Sequence, residues 1–192
     1  MKVYKITSGE LKQGFLDFDS HQLAQQLGGD EVEDFLFDQP LTNASILPIW
    51  KEGVVCSPLP YFEQQGVPFP DVSRWGGHML IISEKANSVL GGAFVETGEL
   101  LPITVNDIPM FLYNCLTYAK EDKELTTNEY SDGIRVGLKT LAFEPDDIAK
   151  KPIFKSKRAG TTRLFVNQNF VSIFEENNLT GIGFDSDLLA PL

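Results

Sequence analysis

The pattern of apolar and polar residues predicts a short strand at the start of the chain and a short helix after it. Residues 2–6 alternate with a period of two, which is typical of a half-buried strand. Residues 23–27 place apolar side chains at helical spacing behind Ser20, a favourable N-cap, and Gly28–Gly29 predicts the end of this helix. Residues 30–38 combine acids with an apolar tail and fit either a helix or a strand.

Further along, a buried strand, a polar cap, a helix and a second strand follow one another. Residues 79–82 are all apolar, which predicts a strand buried on both faces. Ser83 is a good N-cap for a helix whose end we place at Gly91–Gly92. Residues 99–105 then predict another strand, in which Pro102 indicates an edge position or a bulge.

The end of the chain repeats this pattern. Residues 164–166 predict a strand, Asn167 caps a helix that ends at Asn177–Asn178, and residues 179–184 return as a strand. A shift of 84 residues superposes this second unit on the first. The two strand–helix–strand units reflect either an internal duplication or the general signature of a capped helix after a buried strand.

The segment between the two units is less regular. Residues 106–119 fit a helix or a strand, and their aromatic and β-branched members favour the strand. Residues 119–133 are polar and charged and predict an exposed loop, after which residues 134–143 resume a strand-like pattern. Residues 144–147 predict the start of a helix, because their acids suit its positive end.

Two further stretches stand out by composition. Residues 40–70 contain six prolines but also many apolar residues, which predicts an ordered loop with short strands; an exposed aromatic binding face is the alternative. A basic cluster predicts a solvated loop, or alternatively a contact with acidic groups. The cluster consists of Lys150, Lys151, Lys155, Lys157, Arg158 and Arg163.

The elements together predict an α+β fold with a mixed, mostly antiparallel sheet and a few short helices. The chain of 192 residues, 42% of them hydrophobic, is long enough to bury the core of a single domain over residues 1–192. Residues 69–192 are easier to interpret than residues 1–68, whose proline-rich stretch lacks a regular period.

The net charge and the cysteine content limit which class of partner and which cellular compartment we expect. The net charge of −11 repels phosphate backbones, so we expect no nucleic-acid partner and favour a basic one. The sequence shows neither a signal-peptide core nor a membrane-spanning apolar run, and Cys56 and Cys115 form no disulfide framework. We therefore expect a cytoplasmic protein that makes no membrane contact.

The residue pattern provides no catalytic, cofactor or metal motif. His21 and His78 have no metal-ligand spacing to each other or to a cysteine, and no nucleophile elbow or phosphate loop is present. A thiol nucleophile would require the fold to bring Cys56 or Cys115 beside His78. We therefore predict no catalytic residue, no cofactor and no metal.

Three groups of motifs follow one another between residues 69 and 184. They are Phe69-Pro70-Asp71 with Met79 to Ala86 and Val89-Leu90; Gly98 to Ile103 with the aromatic-rich Met110 to Tyr118; and Pro152 to Lys155 with Leu164 to Asn167 and Leu179 to Phe184. Together they resemble a bacterial family classed among the immunity proteins of polymorphic toxin systems, immunity family eleven and its relatives. Asn167 departs from the family's serine, and residues 40–68 do not align with it.

The resemblance implies a protein that binds and neutralises a cognate toxin without catalysis, and the net charge of −11 suits a basic toxin. Aromatic residues flanked by acids are the candidates for partner binding: Tyr61, Phe62, Glu63, Asp71 and Trp75. Core packing is the preferred interpretation of Trp75. The alternatives are an enzyme or small-molecule binder, or a component of a complex whose partner is not a toxin.

Overall fold

The computed structural model describes residues 1–9, 16–59 and 68–190. Within these ranges the chain forms five helices and eleven strands in mostly antiparallel sheets, so the predicted α+β fold is confirmed. The helices are α1 (Ser20–Leu27), α2 (Asp30–Thr42), α3 (Glu84–Thr97), α4 (Pro145–Ile148) and α5 (Gln168–Glu176), with a 3-10 turn at Leu47–Ile49. The strands are β1 (Val3–Ser8), β2 (Val55–Cys56), β3 (Val72–Trp75), β4 (Met79–Ser83), β5 (Gly98–Val105), β6 (Ile108–Cys115), β7 (Asn128–Ser131), β8 (Ile134–Leu138), β9 (Ile153–Ser156), β10 (Gly160–Asn167) and β11 (Ile182–Asp185).

The strands form two main sheets and a separate hairpin. The first sheet has the antiparallel order β11-β1-β10-β9, and the second has the order β2-β5-β6-β4-β3, with only β2 parallel to its neighbour. Strands β7 and β8 pair only with each other. The predicted strand at 106–119 is confirmed as β6, and Pro102 lies where β5 pairs only with β6.

The two strand–helix–strand units have the same topology. In each unit, a two-stranded hairpin is followed by a helix and then by a third strand. A fourth strand lies between the hairpin and this third strand. That central strand is β6 in the first unit and β1 in the second. The register agrees as well: Leu112 in β6 pairs with Ile81 and Leu101, and Lys5 in β1 pairs with the residues 84 positions later, Phe165 and Asp185. This agreement through strand and helix supports an internal duplication.

The predicted caps of both helices are confirmed. The Ser83 hydroxyl accepts a hydrogen bond from the backbone N–H of Ala86 at 3.1 Å. The Asn167 side chain accepts one from Phe170 at 3.0 Å. Each cap satisfies an N–H group that the first turn of a helix leaves without a partner. At α1 the N-cap is Asp19 instead of the predicted Ser20.

An aromatic cluster joins α3 and α5 between the two sheets. The Phe94 ring lies 4.7 Å from that of Tyr113 and 6.0 Å from that of Phe170. All three side chains are fully buried, and side chains of both sheets complete the same hydrophobic core. Further apolar clusters cover the outer faces, with α1 and α2 on the five-stranded sheet and α4 on the four-stranded one.

The predicted helix end at Gly91–Gly92 is wrong. Helix α3 continues through Gly91–Gly92 to Thr97. Two glycines inside a helix cost about 2 kcal/mol relative to two alanines, and the burial of Phe94 and Thr97 beyond the pair offsets that cost. Residues 30–38, whose sequence fits either a helix or a strand, are helical and belong to α2. This helix includes Pro40 and ends at Thr42. Its buried Gln39 donates a hydrogen bond to Asn114 at 2.9 Å, which holds this end of the helix on the sheet.

The basic cluster and the loop before it also differ from the prediction. Residues 153–156 form β9, and Lys155 is fully buried, with its ammonium group donating to Asn43 Oδ1 at 2.6 Å. Burial lowers the pKa of Lys155 to about 8. Residues 128–131 form β7, so the predicted exposed loop at 119–133 is correct only in its first part. The helix start at residues 144–147 is confirmed as α4.

The aromatic cluster predicts a large loss of stability when Phe94 is truncated. Phe94→Ala removes a fully buried ring, so we expect the free energy of unfolding to fall by about 3–5 kcal/mol in urea denaturation. Val95→Ala is the matched control, because Val95 is 67% exposed on the same helix. A loss at Phe94 no larger than that at Val95 would contradict the described core.

Candidate functional site

Two of the five predicted partner-binding residues lie in the part of the chain that the structure describes. Tyr61, Phe62 and Glu63 lie outside the described residues, so their role stays a prediction. Asp71 directly precedes β3, and Trp75 is the last residue of this strand. They therefore do not form one patch along this strand.

Asp71 connects the two strand–helix–strand units. One carboxylate oxygen accepts from the backbone N–H of Thr180 at 3.0 Å and from Lys85 Nζ at 3.0 Å, and the other accepts from Ser83 Oγ at 3.2 Å. Only 14% of the Asp71 side chain is exposed. These contacts explain Asp71 by its structural role.

Trp75 forms part of the wall of a cavity beside α2. Its indole N–H donates to the Phe18 carbonyl at 3.0 Å, and the residue is buried, as the core interpretation predicted. The cavity has a volume of about 410 Å³. Its walls are Asp17, Phe18, Ser20, Glu33, Leu36, Phe37, Pro40, Trp75, Gly76, His78 and Met79.

The polar groups around this cavity are mainly hydrogen-bond acceptors. His78 Nδ1 lies 2.8 Å from the Gly76 carbonyl, so this nitrogen carries the proton and donates it. His78 Nε2 is a buried acceptor to which no group of the described residues donates. Burial lowers the pKa of His78 to about 4, so the ring is neutral at pH 7. Burial also raises the pKa of Asp17.

A second histidine contacts Glu33, one of the residues that line the cavity. His21 Nδ1 lies 2.7 Å from Glu33 Oε2, and this hydrogen bond raises the pKa of His21. Among the described residues, the lining contains two carboxylates and no lysine or arginine. A positively charged group would therefore meet acceptors on several sides of the cavity.

The cysteines lie in the apolar cores and do not line the cavity. Burial raises the pKa of Cys56 to about 12 and also raises the pKa of Cys115. A thiol with such a pKa is protonated at neutral pH and is a weak nucleophile. The arrangement that a cysteine-dependent enzyme would need is therefore not formed.

The outer face of α2 is the exposed feature that the sequence analysis missed. Phe37 is 82% exposed and Leu41 is 76% exposed, the two highest values among the exposed large hydrophobic residues of the described chain. They lie four residues apart and so share one side of the helix. Asp34 and Asp38 lie on the same side and are exposed. We call these four residues, with Asp30, the α2 outer face.

Comparisons with known proteins give no match for this chain. No protein-family model matches the sequence, and no curated protein matches it significantly. Within residues 1–9, 16–59 and 68–190, no group of three or more His, Cys, Asp and Glu side chains is placed to hold a metal ion. No helix in that part of the chain combines the length and apolar character needed to cross a bilayer.

The two histidines should titrate on opposite sides of their ordinary pKa. We expect NMR to give His21 a pKa above 6.5, which falls in Glu33→Gln, and His78 a pKa near 4. Assignment follows from His21→Gln, which removes one of the two signals. A His78 pKa near 6.5 would contradict the buried, unpaired ring.

The lowered pKa of His78 makes stability depend on pH. As the pH falls from 6.5 to 4, the unfolded chain binds a proton at this residue that the folded chain does not bind. We expect the free energy of unfolding to decrease by about 3 kcal/mol across this window from His78 alone. The measurement is the difference between wild type and His78→Gln in urea denaturation at several pH values. A difference in the free energy of unfolding that is the same at every pH would contradict the lowered pKa of His78.

Proposed function

We propose that the protein binds a basic protein partner through the α2 outer face. As the resemblance implies, that partner is a toxin, and binding neutralises it without catalysis by this chain. The observation that carries the proposal is the pair of exposed apolar side chains, Phe37 and Leu41, within a row of aspartates. Exposed apolar side chains surrounded by charged residues are typical of protein-binding surfaces.

The charge of α2 favours a basic partner. The helix contains five acidic residues and no basic one among its thirteen residues. It therefore concentrates negative charge on one element of a protein whose net charge is −11. A surface of this kind steers a positively charged protein towards the helix and speeds association at low salt.

Helix stability does not explain all of these acids. Asp30, Glu31 and Glu33 lie in the first turn, where they interact favourably with the helix dipole. Asp34 and Asp38 lie beyond that turn and continue a row of like charges at four-residue spacing from Asp30. Such pairs destabilise a helix by about 0.2–0.5 kcal/mol each. Partner binding accounts for a row that folding alone disfavours.

The cavity beside α2 supports the same proposal. Phe37 and Glu33 belong to both the helix and the cavity wall, so a bound partner would lie over the opening. A lysine or arginine side chain could enter with its aliphatic part against Trp75 and its cationic end near Asp17 and His78 Nε2. The buried acceptor would then gain a donor.

A second candidate function rests on the cavity alone. Its volume of about 410 Å³ falls within the range of small-molecule sites. The same acceptor-rich lining would suit a small organic cation. Binding of such a ligand would depend on the cavity residues and would not require Leu41, which does not line the cavity.

The test is a pull-down from cells that naturally produce the protein, at low and high salt. We expect salt-sensitive capture of a basic protein, weakened at least about tenfold in Phe37→Ala/Leu41→Ala, since exposed apolar anchors dominate such interfaces. Val95→Ala/Ile173→Ala is the control, because both residues are exposed apolar positions on other helices. Co-production with the captured protein should then protect cells from its toxicity.

Equal capture by the double variant and wild type would rule out the α2 outer face as the binding site. Capture of a partner without any protection from toxicity would support the α2 outer face as the binding site and would contradict the neutralising role. Loss of binding in Leu41→Ala alone would favour the protein partner over a small cation in the cavity.

A further inference from the structure

Three of the four arginines in this acidic chain line one cavity. Arg135 belongs to β8, Arg158 lies in the turn between β9 and β10, and Arg163 belongs to β10. The cavity between these elements has a volume of about 290 Å³. Its other walls are Gly137, Leu138, Ala159 and Leu189, so no carboxylate of the described residues lines it.

The arginines are not neutralised by ion pairs in the part of the chain that the structure describes. The salt bridges there involve Lys5, His21, Lys85 and Lys151, and no arginine takes part. Three like charges that share one cavity repel one another unless an anion lies between them. In a protein with 27 acidic residues, a cavity with three arginines and no acid is notable.

Arg158 is held in place before any ligand arrives. Its guanidinium group donates to the Thr126 carbonyl at 3.0 Å and to Asn128 Oδ1 at 2.8 Å. Glu121 comes close to the same turn, but one of its oxygens accepts from Ser156 Oγ at 2.7 Å and from the backbone N–H of Arg158 at 3.2 Å. The guanidinium group therefore stays oriented while its remaining N–H groups are available to a ligand.

We propose that this arginine cavity binds a small phosphate-bearing anion of the size of phosphate or diphosphate. Guanidinium groups donate paired hydrogen bonds that match phosphate oxygens, and three of them balance the two to three negative charges of such a group. The volume equals that of about ten water molecules in the liquid, which suffices for a diphosphate. The site is independent of the α2 outer face.

The test is isothermal titration of inorganic pyrophosphate into the full chain in a low-salt chloride buffer. We expect saturable binding at one site, weakened about tenfold or more in Arg135→Gln and in Arg163→Gln, because each variant loses charge-assisted hydrogen bonds. Lys139→Gln is the matched control, since Lys139 is exposed at the same end of the molecule and does not line the cavity. Its effect should stay below about twofold.

Hydrogen exchange gives a second measurement on the unaltered protein. Arg158 contacts Asn128 at the start of β7, and Arg135 lies on β8. A ligand between them should therefore slow exchange of amides in the β7–β8 hairpin. Orthophosphate in place of pyrophosphate distinguishes a site for a single phosphate from one that needs two.

Several outcomes would overturn the proposal. Equal weakening by Arg135→Gln and Lys139→Gln would show general attraction between charges in place of a defined site. Tighter binding of citrate than of pyrophosphate would reassign the cavity to carboxylates, and tighter binding of a DNA oligomer would reassign it to nucleic acid. Lack of saturable pyrophosphate binding would refute the site directly.

Discussion

The packing of α3 against α5 is the interaction on which the rest of the structure depends. Phe94, Tyr113 and Phe170 form the centre of a core to which both main sheets contribute side chains. The four-stranded first sheet is complete only when β1 lies between β10 and β11, so residues 3–8 and residues 160–185 meet before this core can close. Each unit alone would leave the apolar face of its helix exposed to water.

This core determines where the candidate sites lie. With α3 and α5 inside, α1 and α2 cover the opposite face of the five-stranded sheet. Gln39 donates to Asn114, and Asn114 donates to Glu99 Oε2 at 3.0 Å, so buried hydrogen bonds hold the end of α2 on that sheet. The α2 outer face is consequently presented to solvent on a helix with a defined position. The arginine cavity lies beside β8 and β10, and β10 also contacts α2, because the Thr161 hydroxyl donates to the Pro40 carbonyl.

Local patterns predicted those features that depend on neighbouring residues. The caps at Ser83 and Asn167 and the strands that precede them follow from short-range hydrogen bonding and continuous apolar runs. Features that depend on distant residues were not predictable. Lys155 resembles an exposed lysine until the fold places Asn43 beside its ammonium group, and the arginines at 135, 158 and 163 converge only when two hairpins meet. The helical state of α2 likewise depends on tertiary contacts of its buried side.

We propose that the aspartate row on α2 serves partner binding instead of folding, and a stability measurement without any partner tests this proposal. The free energy of unfolding of Asp34→Asn/Asp38→Asn should exceed that of wild type by about 0.5–1 kcal/mol at low salt, because two like-charge pairs are relieved. The gain should shrink at about 1 M salt, where such charges are screened. A lower stability of the variant would show that the aspartates support the fold, and it would contradict the account.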